Sequence, residues 1–187
     1  MRRLFLEALL VVAAAIAAYW PALGGPAVYD DSFAAGNFDR VNEGLTRSGL
    51  PQPGDLAKFK ELGVKTIVDL TVPDDDGEKV LAESLGLRYV NLPWNLASGE
   101  TGKYDEYKQR VERFLKIADD PKNQPVHVHC FVGRDRTGCM IGAYRIAKQG
   151  WTAEQAVEEM KKYGFSPQSF PNLVEFLKRF ESDLKKQ

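Results

Sequence analysis

The residues with the clearest chemical potential form one run, Val126-His127-Val128-His129-Cys130-Phe131-Val132-Gly133-Arg134-Asp135-Arg136-Thr137-Gly138. A β-branched stretch ends in a cysteine, five residues follow, and an arginine then opens a helix-forming segment. A connection this short must turn sharply, and Gly133 permits the turn. Successive backbone N–H groups then point inward and make a nest for an anion. The helix after Thr137 aims its positive end at the same point. A cysteine held there is stabilised as its thiolate. Arg136 can grip two oxygens of a tetrahedral anion at once, which a lysine cannot do. The run therefore offers a nucleophile and an oxyanion cradle matched to phosphate.

The elements that must position this loop are legible on either side. Short extended stretches are expected around Val41 and Leu45. Pro51-Gln52-Pro53-Gly54 is a turn, with Pro53 where a first helical turn tolerates it. Leu56, Phe59 and Leu62 recur at helical spacing, and Gly63 ends the run. Thr66–Leu70 is a β-branched strand, and Leu87–Leu92 a second. Between them Glu78–Leu85 reads as a helix closed by Gly86. Tyr104, Tyr107, Val111, Phe114, Leu115 and Ala118 predict a helix from Lys103 to Ala118. Val126–His129 is the strand that delivers the cysteine. Thr137–Gln149 is apolar on most sides, so it is a central helix. Thr152 and Gln155 form a capping box for the next, which Gly164 closes. Leu173, Val174, Leu177, Phe180 and Leu184 mark a last one. Strands separated by helices predict an α/β fold: a central mixed, mostly parallel sheet of about 4–5 strands with helices on both faces.

Composition narrows the class further. The chain has 187 residues, 44% hydrophobic and 27% charged, with a net charge of −1. That excludes a mainly disordered chain and a polytopic membrane protein, and the absence of a basic excess argues against nucleic acid as a partner. Two cysteines do not make a disulfide scaffold. The amino end differs from the rest: Arg2 and Arg3 precede an Ala-rich apolar run to Trp20, and Pro21, Gly24, Gly25 and Pro26 follow. This is the layout of an export signal with an A-x-A-like site at Ala15-Ile16-Ala17, or of an uncleaved membrane anchor. The expected organisation is a signal or anchor helix over 1–24, a linker over 25–36 and one domain over 37–187. The domain would lie outside the cytoplasm, soluble after cleavage or tethered to the membrane.

His129-Cys130-(x5)-Arg136-Thr137-Gly138 resembles the HCx5RTG loop of the protein-tyrosine-phosphatase superfamily. The remainder is similar to its bacterial, dual-specificity-like branch. Leu45-Thr46-Arg47-Ser48-Gly49-Leu50-Pro51 looks like the L-Y-R-S-G-Q-P stretch of those members, and Leu62–Leu70 like their following helix end and strand. Gly150-Trp151-Thr152 and Tyr163-Gly164 also fit, so the resemblance runs from about Phe38 to Tyr163. It implies hydrolysis of phosphate monoesters through a phosphocysteine on Cys130, without cofactor or metal. Arg136 would bind the equatorial oxygens, and amides from Phe131, Val132, Gly133, Arg134 and onward would complete the cradle. Thr137 would donate its hydroxyl toward the sulfur, and His129 would support the loop. The resemblance leaves the general acid open, because the segment Asn91–Gly102, where the family commonly carries an Asp, has none. Asp135 is the first candidate, as in relatives with a G-K-D-R-T loop active on phosphoinositides as well as phosphotyrosine; it could instead orient a side chain or cap the helix. Glu100 and Asp105 are the others. Arg134 stands where those lipid-type loops have Lys, which suggests a substrate with more than one negative group.

The substrates implied are phosphorylated proteins, phosphoinositides or inositol phosphates. A phosphate-binding module without turnover, and a sulfurtransferase or arsenate reductase, are the competing readings of a cysteine loop. The other polar residues have plainer expectations. His127 is a hydrogen-bonded core histidine, and with His129 it lacks a third ligand at metal-binding spacing. Cys139 belongs to the core rather than to a disulfide with Cys130. Asp74-Asp75-Asp76 is a solvated turn.

Overall fold

The computed structural model describes residues 33–72, 76–96 and 104–186. The expected signal or anchor helix over 1–24, most of the linker, the candidate acid Glu100 and the Asp74-Asp75 turn lie outside the described residues. Among those described, no helix is long and apolar enough to cross a membrane.

Five strands form one sheet in the order β1-β2-β5-β3-β4. They are β1 (Asp39–Asn42), β2 (Leu45–Ser48), β3 (Thr66–Asp69), β4 (Arg88–Asn91) and β5 (Val126–His129). The hairpin β1–β2 is antiparallel, and every other pairing is parallel. The mixed, mostly parallel sheet expected from the sequence is therefore present, with its one antiparallel strand at an edge. Among the described residues six helices cover it: α1 (Pro53–Glu61), α2 (Asp76–Ser84), α3 (Tyr104–Asp119), α4 (Arg136–Gln149), α5 (Ala153–Lys162) and α6 (Pro171–Leu184). The Thr152 capping box opens α5 as its sequence requires, with Gln155 N donating to the Thr152 hydroxyl at 3.2 Å.

The alternation of side chains along a strand divides the core in two. On β5, Val126 and Val128 join the larger cluster beneath α3–α6, built around Trp94, Phe114, Met140, Ile141 and Phe176. His127 faces the other way, its ring stacked at 4.0 Å on Phe59 of α1. On β3, Val68 enters the larger cluster and Ile67 the smaller one, with Leu56, Phe59 and Leu87. β5 is central, so the loop that follows it emerges between two parallel neighbours. Ser48 on β2 and Asp69 on β3 both pair with His129. All three strands end at one level, the carboxyl edge where open α/β sheets place their ligands.

One buried carboxylate fastens the segment before β1 to this edge. Asp55, in the first turn of α1, is 1% exposed and accepts from Ala34 N at 2.9 Å, Ala35 N at 2.9 Å and Gln52 N at 3.0 Å. The tethered segment leads to Gly36, whose carbonyl accepts from Gly49 N at 2.7 Å just beyond β2. Replacing Asp55 by Ala removes the acceptor of three backbone donors, of which Ala35 N is buried. The loss expected in urea denaturation is about 3 kcal/mol, and smaller for Asp55→Asn, which keeps one acceptor oxygen.

Candidate active site

Between His129 and Arg136 the chain reverses from strand to helix. Gly133 makes the turn at φ +75°, and a Cβ there would lie 2.5 Å from Gly49 N and 2.6 Å from the Ser48 carbonyl. Both the backbone conformation and the contact demand glycine.

Six of the seven carbonyls from His129 to Asp135 are taken by named donors. His129 O accepts from Leu70 N at 2.9 Å and Phe131 O from Leu50 N at 3.1 Å. Val132 O accepts from Asn37 Nδ2 at 3.0 Å, and Gly133 O from Arg47 Nη2. Arg134 O and Asp135 O accept from Gly138 N and Cys139 N in the first turn of α4. A trans peptide places its N–H opposite its C=O, so the amides face the other way. On that side Gly133 N donates to Cys130 Sγ at 3.3 Å. Among the described residues, the amides of Phe131, Val132, Arg134, Asp135 and Arg136 donate to no protein acceptor. Cys130 itself is 2% exposed and its thiol is free. The arrangement is a cysteine within a ring of unspent donors, at the amino end of a fourteen-residue helix.

The neighbours of the cysteine differ in how far they match the sequence-based expectations. Arg136 is partly buried and braced by one bond, Nη1 to Leu70 O at 3.1 Å; the rest of its fork has no acceptor among the described residues. Thr137 is fully buried, but its hydroxyl makes no hydrogen bond, to the Cys130 sulfur or elsewhere. Asp135 stands at the helix start without a side-chain cap bond. Its carboxylate is held instead by Arg134 Nε, at 3.1 and 3.3 Å. Arg134 is thus partly neutralised. Asp105 lies exposed in the first turn of α3. Phe131 and Val132 are 67% and 45% exposed, an apolar edge beside the buried thiol.

The two histidines of β5 have opposite surroundings. His127 is held by hydroxyls, Thr46 Oγ1 at 2.9 Å and Ser48 Oγ at 2.8 Å. Burial, then the neighbouring His129 and Arg47, push it well below its ordinary pKa, so the ring is neutral. His129 lies between carboxylates: Nε2 is 2.9 Å from Glu78 Oε1 and Nδ1 is 3.7 Å from Asp69 Oδ1. From the sequence, the two histidines lack a third ligand at metal-binding spacing. The structure instead gathers Asp69, Glu78 and His129, with ligand atoms within 4.8 Å of one another. Asp69 is already filled by Thr71 N and Oγ1, both at 2.7 Å, by Tyr89 OH at 2.8 Å and by Asn91 Nδ2 at 3.1 Å. Such a carboxylate is a hydrogen-bond hub, and the cluster reads as carboxylates packed around the imidazole rather than as a metal centre. Cys139, fully buried on α4, is pushed upward by burial alone and remains a core thiol.

Four supporting residues were not identified from the sequence: Asn37, Arg47, Asp69 and Glu78. Arg47 had a visible signal, a cation within the strand-forming Leu45–Ser48 stretch. Glu78 had none, since it reads as one more acid at the start of a helix.

Comparison with known proteins agrees with this geometry. The family model described as "Tyrosine phosphatase family" matches residues 33–187. The dual specificity protein phosphatase TpbA of Pseudomonas aeruginosa is 35% identical over 129 residues, covering 69% of this chain and 55% of that one. The inositol diphosphatase DSP3 of Arabidopsis thaliana is 33% identical over 130 residues, covering 67% of this chain and 61% of that one. The chain thus spans little more than half the length of these two relatives. The crystal structure of P. aeruginosa TpbA superposes with a TM-score of 0.63 at 30% identity, covering 82% of this chain and 88% of that one. A sheet edge that presents a cysteine inside inward-facing amides, in a sequence matched over nearly all its described length, places the chain in the tyrosine phosphatase family.

Proposed function

We propose that the protein hydrolyses phosphate monoesters by two-step thiol chemistry at Cys130. The observation that carries this reading is the division of the loop's polar groups, carbonyls bonded outward and amides unspent beside Sγ. Three equatorial phosphoryl oxygens need several donors and a cation. The free amides and the Arg136 fork supply them, preorganised and largely out of water. Cys130 sulfur attacks phosphorus as the ester P–O bond breaks, and the leaving oxygen takes a proton from the general acid. Water then attacks the phosphocysteine, giving its proton back to that residue. The S–P bond breaks, releasing inorganic phosphate and the thiolate.

Asp135 is the general acid in this proposal. It belongs to the loop itself, whereas Asp105 sits exposed on α3. Its bond to Arg134 fixes the direction of the carboxylate. The apolar rim of Phe131 and Val132 suits a phosphorylated aromatic side chain on a protein better than a polyanion. A multiply phosphorylated inositol would call for several free cations at the mouth, and Arg134 is spent on Asp135. The name of the relative DSP3 keeps inositol phosphates as the second reading. In both readings the segment 1–24 directs the domain out of the cytoplasm, as a cleaved signal or as an anchor; fractionation of cells expressing the full chain tests this, and recovery with cytosolic markers overturns it.

Turnover of p-nitrophenyl phosphate is expected to persist in excess EDTA and to vanish in Cys130→Ser, which should still bind inorganic phosphate. Turnover abolished by EDTA refutes the thiol mechanism. Asp135→Asn is expected to slow phenyl phosphate at least about tenfold more than p-nitrophenyl phosphate, because only the poorer leaving group needs the proton. Equal slowing removes Asp135 as the acid. On the purified chain, kcat/KM for phosphotyrosine peptides should exceed that for inositol polyphosphates, and Phe131→Ala should raise KM for the peptides severalfold while leaving p-nitrophenyl phosphate unchanged. The reverse ranking selects the inositol reading.

A further inference from the structure

Arg47 is the largest buried charge beneath the loop, and the loop geometry alone does not explain it. Its side chain is 1% exposed, Nη2 donates to Gly133 O, and the guanidinium carbon lies 3.7 Å above the centre of the Tyr163 ring. Nε and Nη1 are buried without hydrogen-bond partners. Among the described residues no carboxylate oxygen lies within 4.0 Å of it, for the acids nearby are already engaged. Glu159 on α5 is held by Arg145, with N–O distances of 2.6 and 2.7 Å. Asp39 on β1 accepts from the Tyr163 hydroxyl.

A buried cation without a paired carboxylate is costly, and one donor contact to a carbonyl does not require a charge. Besides the Tyr163 ring, the loop itself links Arg47 to a group that can carry negative charge: Gly133 accepts from Arg47 through its carbonyl and donates through its N–H to Cys130 Sγ. Burial draws Arg47 below its ordinary value, while Tyr163, Glu159, Cys130 and Asp39 act in the opposite sense. His127, on the neighbouring strand, is neutral and offers no counter-charge. Cys130 is the member of this set that lies within the anion cradle.

We propose that Arg47 is a positioning residue whose buried charge, paired with no carboxylate within 4.0 Å, favours the thiolate of Cys130 from beneath the loop, while its bond to Gly133 O holds the loop's apex. Arg136 meets the substrate from the open side; Arg47 acts from the closed side and never touches it. This inference rests on the thiol mechanism proposed above, and its test separates the two.

The measurement is the rate of Cys130 alkylation by iodoacetamide, a neutral probe, at pH 6 and pH 9 on the purified full chain, with Cys130→Ser as the blank for Cys139. If the unmodified Cys130 reacts at pH 6 no faster than free cysteine, the thiol mechanism itself fails. Given a reactive Cys130, Arg47→Gln keeps a donor for Gly133 O and removes the charge, and is expected to lower the pH 6 to pH 9 rate ratio about tenfold. Arg47→Lys keeps the charge and should hold the ratio within about twofold. An unchanged ratio in Arg47→Gln, or an equal fall in both variants, shows a mere brace and overturns the proposal. Should the Arg47 variants fail to fold, Asp39→Asn carries the test. Removing that partly exposed carboxylate leaves Arg47 less opposed, so the ratio should rise; a ratio that stays or falls overturns the proposal.

Discussion

The loop between β5 and α4 works only because its carbonyls are bonded away from its interior. A tight turn of seven peptide groups has as many acceptors as donors, and left alone it would fold some of each inward. Here the end of β2, the residues before β1, the residue after β3 and the first turn of α4 each claim a carbonyl. What faces the cysteine is then mostly of one polarity. The cradle is therefore a property of the whole sheet edge, and each supporting segment has to arrive at the correct level for the donors to be left free.

This dependence explains why the supports are spread so widely along the chain. Asp55 ties down Ala34 and Ala35, which brings Gly36 and Asn37 against β2 and the loop. Asp69, fixed by Thr71, Tyr89 and Asn91, and Glu78 from α2 enclose the imidazole that precedes Cys130. These are buried polar groups, costly unless satisfied, and here most of their oxygens have named partners. The two halves of the core serve the same end. The larger one seats α4, whose amino end faces the cysteine, and the smaller one seats α1 and α2, which carry the carboxylates.

The local features were legible in the residues because they are set by neighbours in sequence. The strand into Cys130, the five-residue turn with its glycine, the helix from Arg136 and the Thr152 capping box all follow from short-range pattern. Helix and strand limits fell within a few residues of expectation for the same reason. The antiparallel placement of β1 and the central place of β5 are pairing choices that no local spacing encodes. Arg47 looked like an ordinary strand residue because its role depends on Gly133, far along the chain. Glu78 and Asp69 lie 51 and 60 residues before His129, so an arithmetic of ligand spacing around the two histidines could not find them. The Thr137 hydroxyl shows the converse: family resemblance placed a bond to sulfur, and the buried oxygen has none in this structure.

The two-faced character of β5 has a consequence for accuracy. Its imidazoles meet hydroxyls, carboxylates and the Phe59 ring, and its valines meet only hydrocarbon. A slip of one residue along its neighbours would drive both imidazoles into oil and both valines against polar partners. A one-residue offset is therefore excluded by the chemistry of the two faces. The sulfur, attached one residue past its end, inherits that alignment without any contact of its own having to enforce it.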